Sequence, residues 1–450
     1  MRIKFFSALF FVFILSAVSY SYDSTRVTFD EAMDALNAED YEAAVDLFTR
    51  YLRIASGHDE GYYQRGNAYY ALEQYDKALT DYSYAYNMGF QKDEVMFFRM
   101  GMIYKNNKDY MTALEYFKTA TVIDKKYTDA YLEMGNLSML AEDYSKASEY
   151  FNTALNLDPN YPEVFFALGE INIRSANYGD AITNFEKAIK LDSANLKYYY
   201  NLGMAYNHLK DTVNTIKYLN KALKIDPGYG LAYYGLATVY NSTGNYQKAV
   251  ENYTKAINSK GTGLMPYLIY TERGLVYLKM KELSSAMKDF DFAIKLNVND
   301  TDSYLERGKL LLASGLDTAA FEDFSKVIAL DEQNSQAYAF RGNLYLNRGQ
   351  IDLAEADLRK AVTFNPNDSL ALFQLGNVLY AKDDFQNALN YYIKALTVNP
   401  KYSEVFENRG ICYYNLGFYK LAAADFESAM KYNPELKEKL QPLYIDAKSR

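Results

Sequence analysis

Between Tyr304 and Phe324 the chain reads YLERGKLLLASGLDTAAFEDF, two short amphipathic stretches on either side of Ser314-Gly315. Tyr304, Leu311 and Ala320 mark an apolar stripe, the spacing expected of helices that bury one face. The same pair of stretches returns along the chain. A displacement of 34 residues superposes Gly135, Gly169 and Gly203, and again Gly274, Gly308, Gly342, Gly376 and Gly410. Gly66 and Gly101 stand 35 apart, and Ala32 and Ala237 take the same slot. Twelve residues after each of these comes alanine, from Ala44 to Ala422, with Thr215 the one exception. Four residues further sits a ring or a leucine, from Phe48 to Phe426. Pro159, Pro227, Pro366, Pro400 and Pro434 close units, as a residue without an N–H that cannot continue a helix. The pattern predicts twelve helical hairpins starting near residues 25, 59, 94, 128, 162, 196, 230, 267, 301, 335, 369 and 403.

Each slot has a physical reading. Two small residues, one per helix, let antiparallel helices approach where Cβ bulk would hold them apart. The large residue fills the space between one hairpin and the next. A single hairpin cannot bury its own apolar face, so stability requires neighbours. In these residues the chain resembles the tetratricopeptide repeat, over about residues 25–436. The resemblance implies an all-α, right-handed superhelical solenoid, with repeats 1–7 over 25–259, a loosened linker over 260–266 and repeats 8–12 over 267–436. Residues 437–450 are expected to form a C-terminal capping helix. The first unit departs from the pattern at Glu31 and Leu47, as a terminal cap would.

An arginine precedes the glycine in five units: Arg65, Arg273, Arg307, Arg341 and Arg409. Sixteen residues on stand Asp81, Asp289, Asp323, Asp357 and Asp425. From the third unit onward, units without the arginine have Met100, Met134, Leu168, Leu202, Leu236 or Leu375 there. Their second slot holds Tyr116, Tyr150, Asn184, Tyr218, Asn252 or Tyr391. The two slots switch together. A guanidinium in a core needs a carboxylate to satisfy its donors, so these are expected to be buried ion pairs between the two helices of one unit.

Composition narrows the function. Of 450 residues 47 are Tyr and none is Trp, and the net charge is −9. No basic stripe is present, so nucleic acid is not an expected partner. The start, MRIKFFSALFFVFILSAVSYSYDS, places Arg2 and Lys4 before an apolar run from Phe5 to Val18 and then small residues. That is the order of a secretory signal over residues 1–21, with an uncleaved anchor as the other reading. Export to a periplasmic or extracellular location is therefore expected, and membrane contact only where the segment is retained. Cys412 is the single cysteine, so no intramolecular disulfide can form, and it reads as core packing.

His58 and His208 lie in different units, and no His/Cys/Asp cluster has metal-ligand spacing. Neither a phosphate loop nor a nucleophile motif stands out. No enzyme, metal or cofactor is expected. In proteins that the chain resembles, the first helix of each unit lines the concave face and binds extended peptides or partner proteins. The equivalent slots here give Tyr63, Phe98, Phe166, Tyr200 and Tyr234 as aromatic contacts. Asn67, Asn136, Asn207, Asn241, Asn343, Asn347 and Asn377 are the amides that would pair with a main chain. Two specialised patterns are broken. Tyr63 stands where a carboxylate clamp needs lysine, and Gln64, Glu133, Glu272, Glu306 and Gln374 interrupt an asparagine ladder that includes Asn201 and Asn408. The expected function is an exported, non-enzymatic scaffold for a protein or peptide partner, neutral or cationic in view of the acidic chain. The alternatives are a glycan-binding module that uses the groove tyrosines, or a regulatory subunit of a larger enzyme complex.

Overall fold

The structure, a computed structural model, describes residues 27–90, 93–259, 263 and 265–450. The apolar N-terminal run and Lys260, Gly261 and Thr262 lie outside the described residues. The described residues form an all-α array of twelve tandem helix pairs, followed by a last helix, Lys437–Ser449. First helices begin at Phe29, Asp59, Glu94, Thr128, Pro162, Leu196, Gly230, Pro266, Thr301, Ser335, Ser369 and Ser403. A representative pair is Thr128–Leu140 with Tyr144–Leu157. The chain divides into two compact units, one ending at Tyr218 and one beginning at Leu219, within the helix Thr212–Ile225. Each unit is built from the same pairs. Among the described residues no helix is long and apolar enough to cross a membrane.

The turn inside each pair is the most regular feature. In all twelve pairs one residue takes the left-handed conformation: Gly244, Gly315, Gly349 and Gly417, but also Glu39, Glu73, Lys108, Glu142, Ala176, Lys210, Lys281 and Asp383, with φ between 57 and 63°. A side chain in that region costs roughly 1–2 kcal/mol, so eight pairs carry the strain for the sake of the turn. It closes the first helix, as where the Asn177 N–H donates to the Asn172 carbonyl at 2.8 Å, the reverse turn that ends many helices. The next residue begins the second helix. Asp143 accepts from the Lys146 N–H at 3.0 Å, and Asp40, Asp109, Asp211, Asn245 and Asp384 do the same. One residue thus ends one helix and caps another.

The core follows from the small slots. The large residues, Phe48 through Phe426, are completely buried in every pair, each worth roughly 1.5–3 kcal/mol in area removed from water. Where a ring faces a glycine, as in eight of the pairs, it lies directly on it. A Cβ on Gly135 would stand 2.3 Å from Phe151 Cε1, and one on Gly169 2.4 Å from Phe185 Cε1. At the start of the array, Thr28 and Glu31 form a reciprocal capping box: the Glu31 N–H donates to Thr28 Oγ1 at 3.2 Å, and the Thr28 N–H to Glu31 Oε2 at 2.8 Å. Glu31 serves the helix end rather than an interhelical contact. At the other end, Leu440 and Ala447 of the last helix bury themselves against the final pair.

Gly135→Ala should lower stability by about 1–3 kcal/mol, the cost of overfilling a packed site, despite alanine's better helix propensity. Gly179→Ala supplies the internal control, because nothing lies within 4 Å of its added Cβ. It should leave stability unchanged or raise it by up to about 1 kcal/mol. Urea unfolding of the two variants checks both. Equal losses would show that the ring contact is not what demands glycine.

Candidate functional site

The five arginines each grip one aspartate with two parallel hydrogen bonds. Arg65 donates from Nε and Nη2 to Asp81 at 2.7 and 2.8 Å. The Arg273–Asp289, Arg307–Asp323, Arg341–Asp357 and Arg409–Asp425 pairs span 2.7–3.0 Å in the same arrangement. A third donor reaches back to the preceding pair. Nη1 bonds Thr49 Oγ1 from Arg65, Thr254 Oγ1 from Arg273, Asp291 Oδ1 from Arg307 and Ser325 Oγ from Arg341. Above and below, rings on the arginine's own helix bracket the guanidinium: Tyr62 and Tyr69 around Arg65 at 5.4 and 5.8 Å, Tyr270 and Tyr277 around Arg273, Phe406 and Tyr413 around Arg409.

The two members of each pair are buried unequally. The aspartates are 3–9% exposed, but the arginines are 14–22% exposed, because the bracketing rings cover the faces of the guanidinium and not its rim. Burial pushes the Asp81 and Asp425 carboxyls above the usual range, against the opposing hydrogen bonds from their arginines. The third pair shows what replaces the ions. There the ring of Tyr116 lies between Phe97 and Tyr104, at 6.2 and 5.3 Å with interplanar angles of 24° and 11°, above the buried Met100. Either a guanidinium or a tyrosine ring fills the same flat slot between two aromatics.

The residues expected to contact a partner fall into two sets. Tyr63 is buried and stacks on Phe90 at 4.4 Å. Asn67 accepts from the Tyr82 hydroxyl at 2.9 Å and from Arg99 Nη1 at 2.5 Å, and donates to Gln64. Asn377 accepts from Tyr392 and from Asn408, at 2.8 and 2.7 Å. These three hold the array together. Asn241 accepts from Lys279 Nζ at 2.8 Å. Phe98, Phe166 and Tyr234 are half-buried, each with its ring against the large residue of its own pair, and Tyr200 is half-buried. Asn136, Asn207 and Asn343 are half-buried, Asn347 is exposed, and Asn136 and Asn343 have no side-chain hydrogen bond among the described residues. The arrangement offers rings and open amides on first helices.

Models described as tetratricopeptide repeat match residues 29–91, 95–127, 128–161, 195–260, 335–368 and 369–402, and one described as SHNi-TPR matches 162–194. The chain belongs to the tetratricopeptide repeat family. Among solved structures it is similar to YrrB, described as a TPR protein with an unusual peptide-binding site. The two share 26% identity over 44% of this chain and 97% of that one, with a TM-score of 0.37. It is similar to the APC/C hetero-tetramer Cut9-Hcn1 at 15% identity over 92% and 95%, TM-score 0.46. PilF of Pseudomonas aeruginosa follows at 18% over 47% and 94%, TM-score 0.42. No curated protein matches the chain.

Sequence reasoning missed several residues of these tetratricopeptide repeats. The hydroxyls and carboxylate that receive Nη1 were within reach: sixteen residues before Arg65, Arg307 and Arg341 stand Thr49, Asp291 and Ser325, and the longer linker moves Thr254 to nineteen before Arg273. Arg99, two residues before its glycine, had no repeating signal. Nor did Thr271, whose buried hydroxyl donates to Asp300 Oδ2 at 2.8 Å and lies 2.9 Å from Ser303 Oγ.

In repeat 2, Arg65→Met should cost about 3 kcal/mol, since Asp81 is left buried and unpaired. Adding Asp81→Tyr recreates the Met100/Tyr116 combination between Tyr62 and Tyr69, and should restore most of the loss; a double-mutant cycle measures the coupling. The single variant also carries a pH signature. Without Arg65 the folded-state pKa of Asp81 rises further above its unfolded value, so the deficit is full where the carboxylate is ionised. It should narrow as pH falls from about 7 toward about 5. Additive losses, or a deficit that widens on acidification, would refute the pairing account.

Proposed function

We propose that the protein is a non-enzymatic scaffold that binds an extended peptide or partner protein along the face lined by its first helices. The observation that carries this reading is the presence of half-buried amides, Asn136 and Asn343, that no side chain among the described residues engages. Asn67 and Asn377 in the same slot are fully engaged. A half-buried amide not engaged by a side chain keeps its donor and acceptor available, and a main chain laid across the first helices supplies both complements. Rings at Phe98 and Phe166 stand one turn away on neighbouring first helices. Membership of the tetratricopeptide repeat family favours the same class of ligand. The net charge of −9 favours a neutral or cationic partner, with affinity that falls as salt rises.

Asn136→Ala and Asn343→Ala should weaken peptide binding about fivefold or more. Their stability should stay within about 0.5 kcal/mol of the wild type. Asn67→Ala should instead lower stability by about 1–3 kcal/mol, because it strands the Tyr82 hydroxyl. Calorimetric titration with a panned peptide, beside thermal melts, reads both. Full affinity in the first two variants would overturn the reading.

The protein is also proposed to act outside the cytoplasm, supported by the charged, apolar and small-residue order of residues 1–21. Mass measurement of the protein from its native cell should place the mature start between Tyr20 and Asp23. An intact Met1 in a soluble cytosolic fraction would refute export.

A further inference from the structure

Acidic residues gather on the first helices of repeats 8 and 9, where Arg273 and Arg307 are committed to Asp289 and Asp323. Glu272 and Asp302 form no ion pair among the described residues, whereas Glu306 is held by Lys309 at 2.8 Å. Asp300, buried nearby, takes its hydrogen bond from the Thr271 hydroxyl and not from a cation. Burial pushes the Glu272 carboxyl above the usual range; Lys279 pulls against it and Asp302 adds to it. Asp302 is raised in the same way by burial, Asp300 and Glu306, with Lys309 opposing. Five other carboxylates of this chain show the alternative, each gripped by a guanidinium. Carboxylates that burial and their neighbours make costly, with lysines near them but no direct ion pair among the described residues, weaken the fold.

A second observation is independent of the charges. The Tyr253 side chain is completely buried, yet its hydroxyl completes no hydrogen bond among the described residues. It lies beside Glu272 and Asn241 without completing a bond to either, and burial followed by the Glu272 charge holds it well above the usual phenol range. In repeats 2 and 11 the equivalent hydroxyls of Tyr82 and Tyr392 donate to Asn67 and Asn377; repeat 7 has Thr238 in that slot. The Tyr234 ring stands against Tyr253, 5.8 Å between centroids at 62°, and also feels the Glu272 charge. Two carboxylates, an aromatic face and an unused hydroxyl are the parts that recognise an organic cation. Among the described residues no group of three or more His, Cys, Asp or Glu side chains is arranged to hold a metal ion.

We propose that Glu272 and Asp302, with the Tyr234 ring and the Tyr253 hydroxyl, receive a lysine or arginine side chain of the bound peptide. This rests on the peptide-binding reading and adds a position at which that reading becomes selective. The cation sits between the two carboxylates with the ring against its flank, and the Tyr253 hydroxyl gains an ordered, bridged carboxylate to donate to.

The test is panning of a random twelve-residue peptide library against the full chain and against Glu272→Gln. Peptides retained by the wild type should be enriched in Lys or Arg at one position. Glu272→Gln should weaken those peptides by about tenfold to a hundredfold, and replacing the selected residue by norleucine should remove most of that difference. The same variant should melt at or above the wild-type temperature, since it relieves a repulsion; a residue that merely supports the fold would melt lower. Retained peptides without basic selection, or a preference that survives Glu272→Gln, overturn the subsite and leave peptide binding standing. A library from which neither protein retains anything overturns both.

Discussion

A ring lying directly on a helix backbone sets the geometry of this protein. Phe151 can approach Gly135 only because no Cβ intervenes, and the same contact recurs from repeat to repeat. It fixes how closely the two helices of a pair stand and buries the largest side chain of the pair completely. Close helices in turn leave no room for a relaxed connection, which is why eight turns accept a left-handed residue bearing a side chain. Short pairs of constant length then place every first helix in the same relation to its second. The regular face of amides and rings is a by-product of the contact that made the pairs compact.

The repeat was legible in the chain because its slots depend on residue size, and size is what a one-dimensional pattern displays. Helix starts read from the glycine spacing fall at Asp59, Glu94, Thr128 and so on through Ser403. The Arg65–Asp81 type of pair was legible because its two members change together at a fixed spacing. What supports them was not. Tyr62 and Tyr69 bracket the guanidinium, but aromatics are so frequent here that their spacing carries little contrast. The split among the amides was hidden for a different reason. Asn67, Asn136, Asn343 and Asn377 occupy one slot, and whether the amide is consumed depends on a hydroxyl in the second helix: Tyr82 and Tyr392 consume it, whereas Phe151 and Leu358 have none to offer.

The same contrast runs through the charges. Arginines enclosed by rings and aspartates complete one another, and the flat slot they occupy accepts a tyrosine as readily. Glu272 and Asp302 form no such paired complement among the described residues. A protein assembled from repeated parts makes such departures visible, because eleven other copies of the slot state what the fold itself requires.

The turn within each pair has a further consequence. Since a single residue such as Asp143 terminates one helix and caps the next, not one residue can be added or removed there without undoing a cap. Variation in length is indeed confined to the joints between pairs: one residue between Gly66 and Gly101, three between Ala237 and Gly274. Even across the longer joint Arg273 still reaches Thr254 at 2.8 Å. The chain therefore has a grain. It can be spliced, lengthened or given an inserted module at the seams between hairpins, while each hairpin behaves as an indivisible word.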